Sequence, residues 1–231
     1  MATEPKRVGD LALATSLINK KIEDIAQFHE ASIKVAISPK KCFRHGLADT
    51  YKGGRKQAAV DVNGCKAFMV DKWHAKVVPN LEADDVLGIW MTDPTFRGRK
   101  ICASIDKDLK QIPGLHLHLV DHQNDWEEVT PASGFFTHML QTLTGDSTDN
   151  YRGCPGVGDK AAFQVLYPEA TKYVDYGEVD EESVWKAVVY EFEDAGYAEA
   201  DALLQARLAK ILQFQDFNYK TREVRLWMPP S

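Results

Sequence analysis

Near the N-terminus, Leu11, Leu13, Leu17, Ile18, Ile22, Ile25 and Phe28 recur at close to helical spacing, predicting one long amphipathic helix over 8–32. Residues 33–37 form a short apolar run closed by Ser38-Pro39, the mark of a buried strand. A basic loop follows, FRHGLADTYKGGRK (43–56), and then a helix over 58–73. A second strand is predicted at 75–78, and a helix opens within LEADDVLGIWM (81–91). KICASI (100–105) is strand-like by its β-branched content and ends at Asp106; 116–120 is another strand. Short strands alternating with helices predict an α/β fold, a largely parallel central sheet flanked by helices. From Phe135 the texture changes. FFTHMLQTL is helical, GDSTDNYRGCPGVGDKAAFQVL is rich in turn residues, and a terminal helix over 200–214 precedes an edge strand at 221–227. The change divides the chain into an α/β core (1–132) and a helical region (133–231).

Composition narrows the class. With 231 residues, 44% of them apolar, the chain can bury one good core. No run approaches the roughly 18–20 apolar residues of a membrane span, and MATEPKRVGD has no apolar segment of the secretory type. Cys42, Cys65, Cys102 and Cys154 are scattered without zinc spacing, as reduced cysteines of a cytoplasmic protein would be. The net charge of −6 is unevenly spread: residues 169–201 hold 11 acids and two lysines, leaving a slightly basic remainder. A nucleic-acid surface would therefore be local.

Three acidic motifs fall where an α/β sheet normally builds its site. Glu82, Asp84 and Asp85 open a helix, where negative charge also complements the dipole. Asp106 and Asp108 follow a hydrophobic strand, a position that equally suits a helix cap. Asp146 and Asp149 lie three apart in GDSTDN, where turn chemistry alone explains an Asp. Jointly, seven carboxylates at strand and helix ends would repel unless a cation joined them, and hard cations of the magnesium class want oxygen ligands. His116 and His118 would share a strand face, but a lone pair of histidines is a weaker metal signal. A phosphatase of the haloacid-dehalogenase type is one reading of Asp106-x-Asp108 with Gly145-Asp146, although HMLQTLTGD is patterned as helix rather than strand.

Five blocks in order carry a further resemblance: FRHGLADTYKGGRK, LEADDVLG, DPTFRGRKICASIDKDLKQIPG, LQTLTGDSTDNYRGCPGVGDKAA and ARLAKILQFQDFNYKTREVRLW. Through them the chain resembles the 5′ nuclease/flap endonuclease superfamily, in its short-tailed-phage 5′→3′ exonuclease branch. The resemblance implies a PIN-like fold and a metal-dependent phosphodiesterase acting on DNA 5′ ends or flaps without sequence specificity. It implies two Mg2+ ions, for which Mn2+ can substitute. Glu82, Asp84, Asp85 and Asp106 would serve one metal region, and Asp108, Asp146 and Asp149 the other. Lys52 and Arg55 match the basic pair that draws the 5′ phosphate inward, with Arg44 and Lys56 beside them. GCPGVGDKAA resembles the helix–three-turn–helix, in which Gly153, Gly156, Gly158 and Lys160 would meet the DNA backbone and a K+ ion is often held.

The family pattern also has a strand ending in aspartate before the first helix, and an acid just before the pair matched by Phe43-Arg44. Here the chain opens MATEPKRV and carries Ile37-Ser38-Pro39-Lys40-Lys41-Cys42. The fold is therefore expected without its N-terminal strand. The second reading is a homologue that binds DNA ends better than it cuts them.

Overall fold

The computed structural model describes residues 8–54, 61–120, 123–171 and 179–230. Helix α1 (Val8–Phe28) packs on α2 (Val62–Trp73), and its half-buried positions, among them Leu11, Ile18, Ile22 and Ile25, repeat at helical spacing. Leu13 and Leu17 belong to the same apolar pattern yet remain exposed. Asp61 caps α2 by accepting the Gly64 N–H at 3.0 Å. Helix α3 (Ala83–Thr92) follows, and then strand β1 (Ile101–Ser104).

The sheet has the order β1-β2-β3, with β2 (Gly114–Val120) parallel to β1 and β3 (Gln123–Val129) antiparallel to β2. The expected runs at 33–37 and 75–78 lie side by side in parallel but meet only in an isolated bridge, Ala36 with Lys76; a second such bridge, Cys42 with Asn80, follows beyond both runs. Pro39 and Pro79 explain the brevity, since neither has an N–H with which to extend the ladder. The sequence pattern gave no sign of β3, because QNDWEEV is polar and pairs at the outer edge of the sheet.

Helices α4 (Pro131–Thr144), α5 (Asp159–Thr171), α6 (Glu181–Asp194) and α7 (Glu199–Ala209) share one core. Met139, Leu143, Leu166, Val184, Val188 and Phe192 are at most 1% exposed within it. The terminal helix was expected to reach 214 and stops at Ala209. Side chains from the first half of the chain capture the backbone beyond it: Gln111 accepts the Ile211 N–H at 3.0 Å, and Asp85 accepts the Leu212 N–H at 3.2 Å. Residues 208–212 thereby supply Leu208, Ala209, Ile211 and Leu212 to three separate apolar clusters. A short antiparallel pair, β4 (Phe217–Asn218) with β5 (Glu223–Val224), replaces the longer edge strand expected at 221–227.

Candidate active site

The site is assembled where three elements end: the start of α3, the end of β1 and the end of α4. At the first, Glu82 is the N-cap of α3, and Asp84 and Asp85 stand in its first turn. Asp85 turns inward, fully buried, and takes Arg44 in a two-pronged pair at 2.8 and 2.8 Å. It also accepts the Glu82 N–H at 3.0 Å. Arg44 spends its remaining donors on Glu82 Oε2 (3.1 Å), Leu208 O (2.9 Å) and Lys210 O. With both oxygens engaged in the interior, Asp85 fixes the α3 terminus and Glu82 from behind. Arg44 is 3% exposed, which corrects its sequence-based reading as a surface DNA contact: the guanidinium is needed to neutralise the buried Asp85.

At the second end, Asp106 follows β1 and caps a 3-10 turn, Lys107–Gln111, accepting the Asp108 N–H at 2.9 Å. Asp108 accepts the Gln141 Nε2–H at 2.7 Å. Gln141 in turn accepts from Gln111, whose Nε2–H also reaches Ala209 O at 2.8 Å. At the third end, Asp146 closes a turn after α4, its Oδ1 accepting the Thr148 and Asp149 N–H groups at 2.6 and 3.3 Å. Asp146 and Tyr151 exchange backbone hydrogen bonds at 2.8 and 3.1 Å, so the loop is a closed hairpin rather than a tail.

Gly145 and Gly153 make that hairpin possible. Both have positive φ (67° and 64°), and a Cβ at 145 would stand 2.4 Å from the Arg152 carbonyl carbon. Gly153 is buried against Gly145, so its backbone serves the loop and not a DNA phosphate, a correction to the sequence-based expectation. Gly156 (φ 85°), Gly158 and Lys160 are exposed where the chain enters α5. Arg55 and Lys56 lie outside the described residues. His116 bonds Ile112 O at 2.7 Å and His118 pairs with Glu127 at 3.2 Å, so each has a partner within the sheet region.

Between the three ends lies a small cavity of about 30 Å³, walled by Glu82, Asp84, Asp108, Asp146 and Asp149 together with Arg44, Tyr51, Gln141 and Tyr151. It has room for roughly two water-sized bodies. The electrostatics reflect the crowding. Burial, then the charges of Asp106, Glu82 and Asp85, push the Asp84 carboxyl up to about 7. Burial, then Asp106 and Asp146, raise Asp108. Burial raises the Tyr151 hydroxyl, with Asp146, Asp108 and Asp149 acting in the same direction. Burial and the nearby Asp84 and Asp106 hold the Cys102 thiol up at about 12, which keeps it neutral.

The seven predicted carboxylates therefore act in one field, with Asp85 paired to Arg44 behind the other six. Among the described residues, no three His, Cys, Asp or Glu side chains close around a single ion as they stand. Four of the carboxylates are held by other partners. Lys52 pairs with Glu82 and lies 3.1 Å from Asp149, Gln141 holds Asp108, and turn amides hold Asp146. The donor set nevertheless fits a hard divalent cation: all oxygen, mutually repulsive, with the Asp84 and Asp108 carboxyls raised by burial and by neighbouring negative charge. The sequence reading missed Tyr51, Gln111, Gln141 and Tyr151. No spacing rule marks them, and only tertiary contact reveals their role.

No family model matches the chain. The exonuclease of Escherichia phage T7 is 30% identical over 224 residues, covering 86% of this chain and 74% of its own. The exodeoxyribonuclease of Enterobacteria phage T3 is 29% identical over 226 residues, covering 87% of this chain and 74% of its own. In fold, the chain is similar to the flap endonuclease of bacteriophage T5, solved as a pseudo-enzyme–product complex with DNA and metal ions. That likeness has a TM-score of 0.59 at 14% identity, covering 85% of this chain and 80% of the other. Identity of this extent to the T7 enzyme, on a fold shared with the T5 enzyme, makes the chain a member of the 5′ nuclease family of exonucleases and flap endonucleases.

Proposed function

We propose that this nuclease hydrolyses DNA phosphodiesters at 5′ ends and flaps, using two divalent ions, naturally Mg2+ with Mn2+ able to substitute. The observation that carries the reading is the convergence of carboxylates from three chain-distant motifs on one ion-sized cavity. Glu82, Asp84 and Asp106 would hold one ion and Asp108, Asp146 and Asp149 the other, while Asp85 locks the α3 terminus through Arg44. Bound divalent ions supply the concentrated positive charge that activates water and steadies a departing oxygen. The protein's own part is orientation. Gln141 aims Asp108, and the hairpin through Asp146 and Tyr151 sets Asp149 opposite Glu82.

The cavity is too small for a nucleotide, so the DNA backbone would approach from outside it. The exposed turn at Gly156 and Gly158, with Lys160, offers backbone N–H groups and positive charge to phosphates, a contact that reads no sequence. Lys52, Arg55 and Lys56 are our candidates for the 5′ phosphate. The relatives' names favour neither the phosphatase nor the non-cleaving reading.

The test is a duplex labelled at its 5′ or 3′ end, and a 5′ flap, incubated with the chain in Mg2+ or in EDTA. We expect Mg2+-dependent release from the 5′ side, with Asp146→Ala and Asp149→Ala losing turnover but keeping most DNA affinity. Full turnover of either variant at limiting Mg2+ would remove that residue from the ligand set.

A further inference from the structure

The ammonium group of Lys52 lies inside the carboxylate cleft. Nζ pairs with Glu82 Oε1 and is 3.1 Å from Asp149 Oδ2, and the side chain is 15% exposed. The backbone holds it there. Lys52 N–H donates to Asp149 O at 2.7 Å, and Asn150 Nδ2–H donates to Thr50 O at 2.7 Å, stapling the Lys52 turn to the Asp146–Tyr151 hairpin. Lys52 itself has φ 57°, a left-handed conformation that costs a non-glycine residue about 1 kcal/mol and persists only where its surroundings hold it. Tyr51 completes the holder, its hydroxyl 2.8 Å from Glu82 Oε2 and 2.9 Å from Asp149 Oδ2. One phenolic proton can serve only one of those two oxygens at a time. The ammonium is shared by both carboxylates, whereas Arg44 reaches Glu82 from the buried side.

We propose that Lys52 is the resident counter-ion of the cleft, and that its ammonium and a divalent ion compete for Glu82 and Asp149. The inference rests on the metal-site reading above. Those oxygens cannot serve both cations at full strength, and like charges a few ångströms apart in a partly desolvated cavity of about 30 Å³ repel strongly. Ion entry therefore expels Lys52 from the pair, and the released ammonium becomes available to an anion such as a DNA phosphate. Without metal, the lysine stays paired and the acidic cleft stays closed on itself. Coupling of this kind is reciprocal: whatever pulls Lys52 away must tighten the ion.

Two measurements without DNA test this. In the unmodified protein, amine acetylation followed by mass spectrometry should label Lys52 several-fold faster in Mg2+ than in EDTA, while the exposed Lys160 labels equally in both. Equal or slower labelling of Lys52 in Mg2+ overturns the proposal. In calorimetric titration with Mg2+ or Mn2+ alone, Lys52→Met should bind at least about fivefold more tightly than the unmodified chain. Lys52→Arg, which keeps the charge, should return the affinity toward the original value. Unchanged or weaker binding by Lys52→Met overturns the competition while leaving the metal site standing. Failure of the unmodified chain to bind either ion overturns the metal reading itself, and this inference with it.

Discussion

At the scale of single residues, the site is governed by where negative charge is forced together and what answers it. Arg44 answers Asp85 with two parallel hydrogen bonds in the interior, and a lysine cannot reproduce that planar fork. Arg44→Lys should therefore lower stability by about 3 kcal/mol in denaturant titration, the order expected when a buried pair is broken. A loss within error would show that the interior tolerates a point charge there. Asp84 is not so answered, and its carboxyl sits at about 7 against an ordinary 3.8. Because the folded value is the higher one, the proton held by Asp84 stabilises the metal-free fold fully below about pH 4. That contribution is lost as pH rises through about 7, at up to about 1.4 kcal/mol per pH unit. Burial pulls His138 down to about 3, and its contribution runs the other way, fading as pH falls below about 6.5. The diagnostic quantity is therefore a difference: in EDTA, Asp84→Asn should gain stability over the unmodified chain as pH rises from 4 to 7. Parallel stability curves would mean that Asp84 ionises normally.

At the scale of elements, what could be read from the sequence depended on whether the cause was local. The helices α1, α2 and α4 were legible from local periodicity, whereas the Asp61 cap of α2 and the Thr130-Pro131 start of α4 went unread although both are written in neighbouring residues. Strand β3 was not legible, since a polar edge strand is stabilised by the partner it pairs with. The carboxylates were legible as three motifs because strand and helix ends advertise themselves. Their supports were not: Tyr51 meets Asp149 across 98 positions, and Gln111 meets Ile211 across 100. The hairpin at Asp146–Tyr151 lies between these cases. Gly153 was read as a DNA-backbone contact, and only the fold shows that Gly145 and Gly153 adopt positive φ to pack against each other. Gly145→Ala would combine an unfavourable φ with a backbone clash, so it should cost about 2 kcal/mol or more. It should also weaken metal binding, because Asp146 and Asp149 hang from that loop. A variant with normal ion affinity and a lowered melting temperature would uncouple the loop from the site.

At the scale of the whole molecule, the chain closes on itself through residues 208–212, whose backbone is held by Arg44, Asp85 and Gln111 from the first half. One consequence concerns binding. The protein carries −6 overall, yet its proposed substrate is a polyanion, so attraction must come from a few local cations and from bound metal. The proposed contacts are to phosphate, and each one displaces counter-ions, so affinity should fall linearly with salt on logarithmic axes by about 0.9 per phosphate engaged. Lys160 is exposed at the α5 entry and does not line the acidic cavity, and its replacement by alanine should lower that slope by about one. The loss should be the same for any duplex sequence, since no base edge is read. Turnover at saturating DNA should hardly change, because Lys160 contacts none of the cleft carboxylates. Anisotropy titrations of a fluorescent 5′-flap substrate across salt concentrations, in Ca2+ if that ion proves to block cleavage, would measure the slope directly. An unaltered slope for Lys160→Ala would move the DNA path off the Gly156–Lys160 turn. The remaining candidates for the contact would then be Lys52, Arg55 and Lys56.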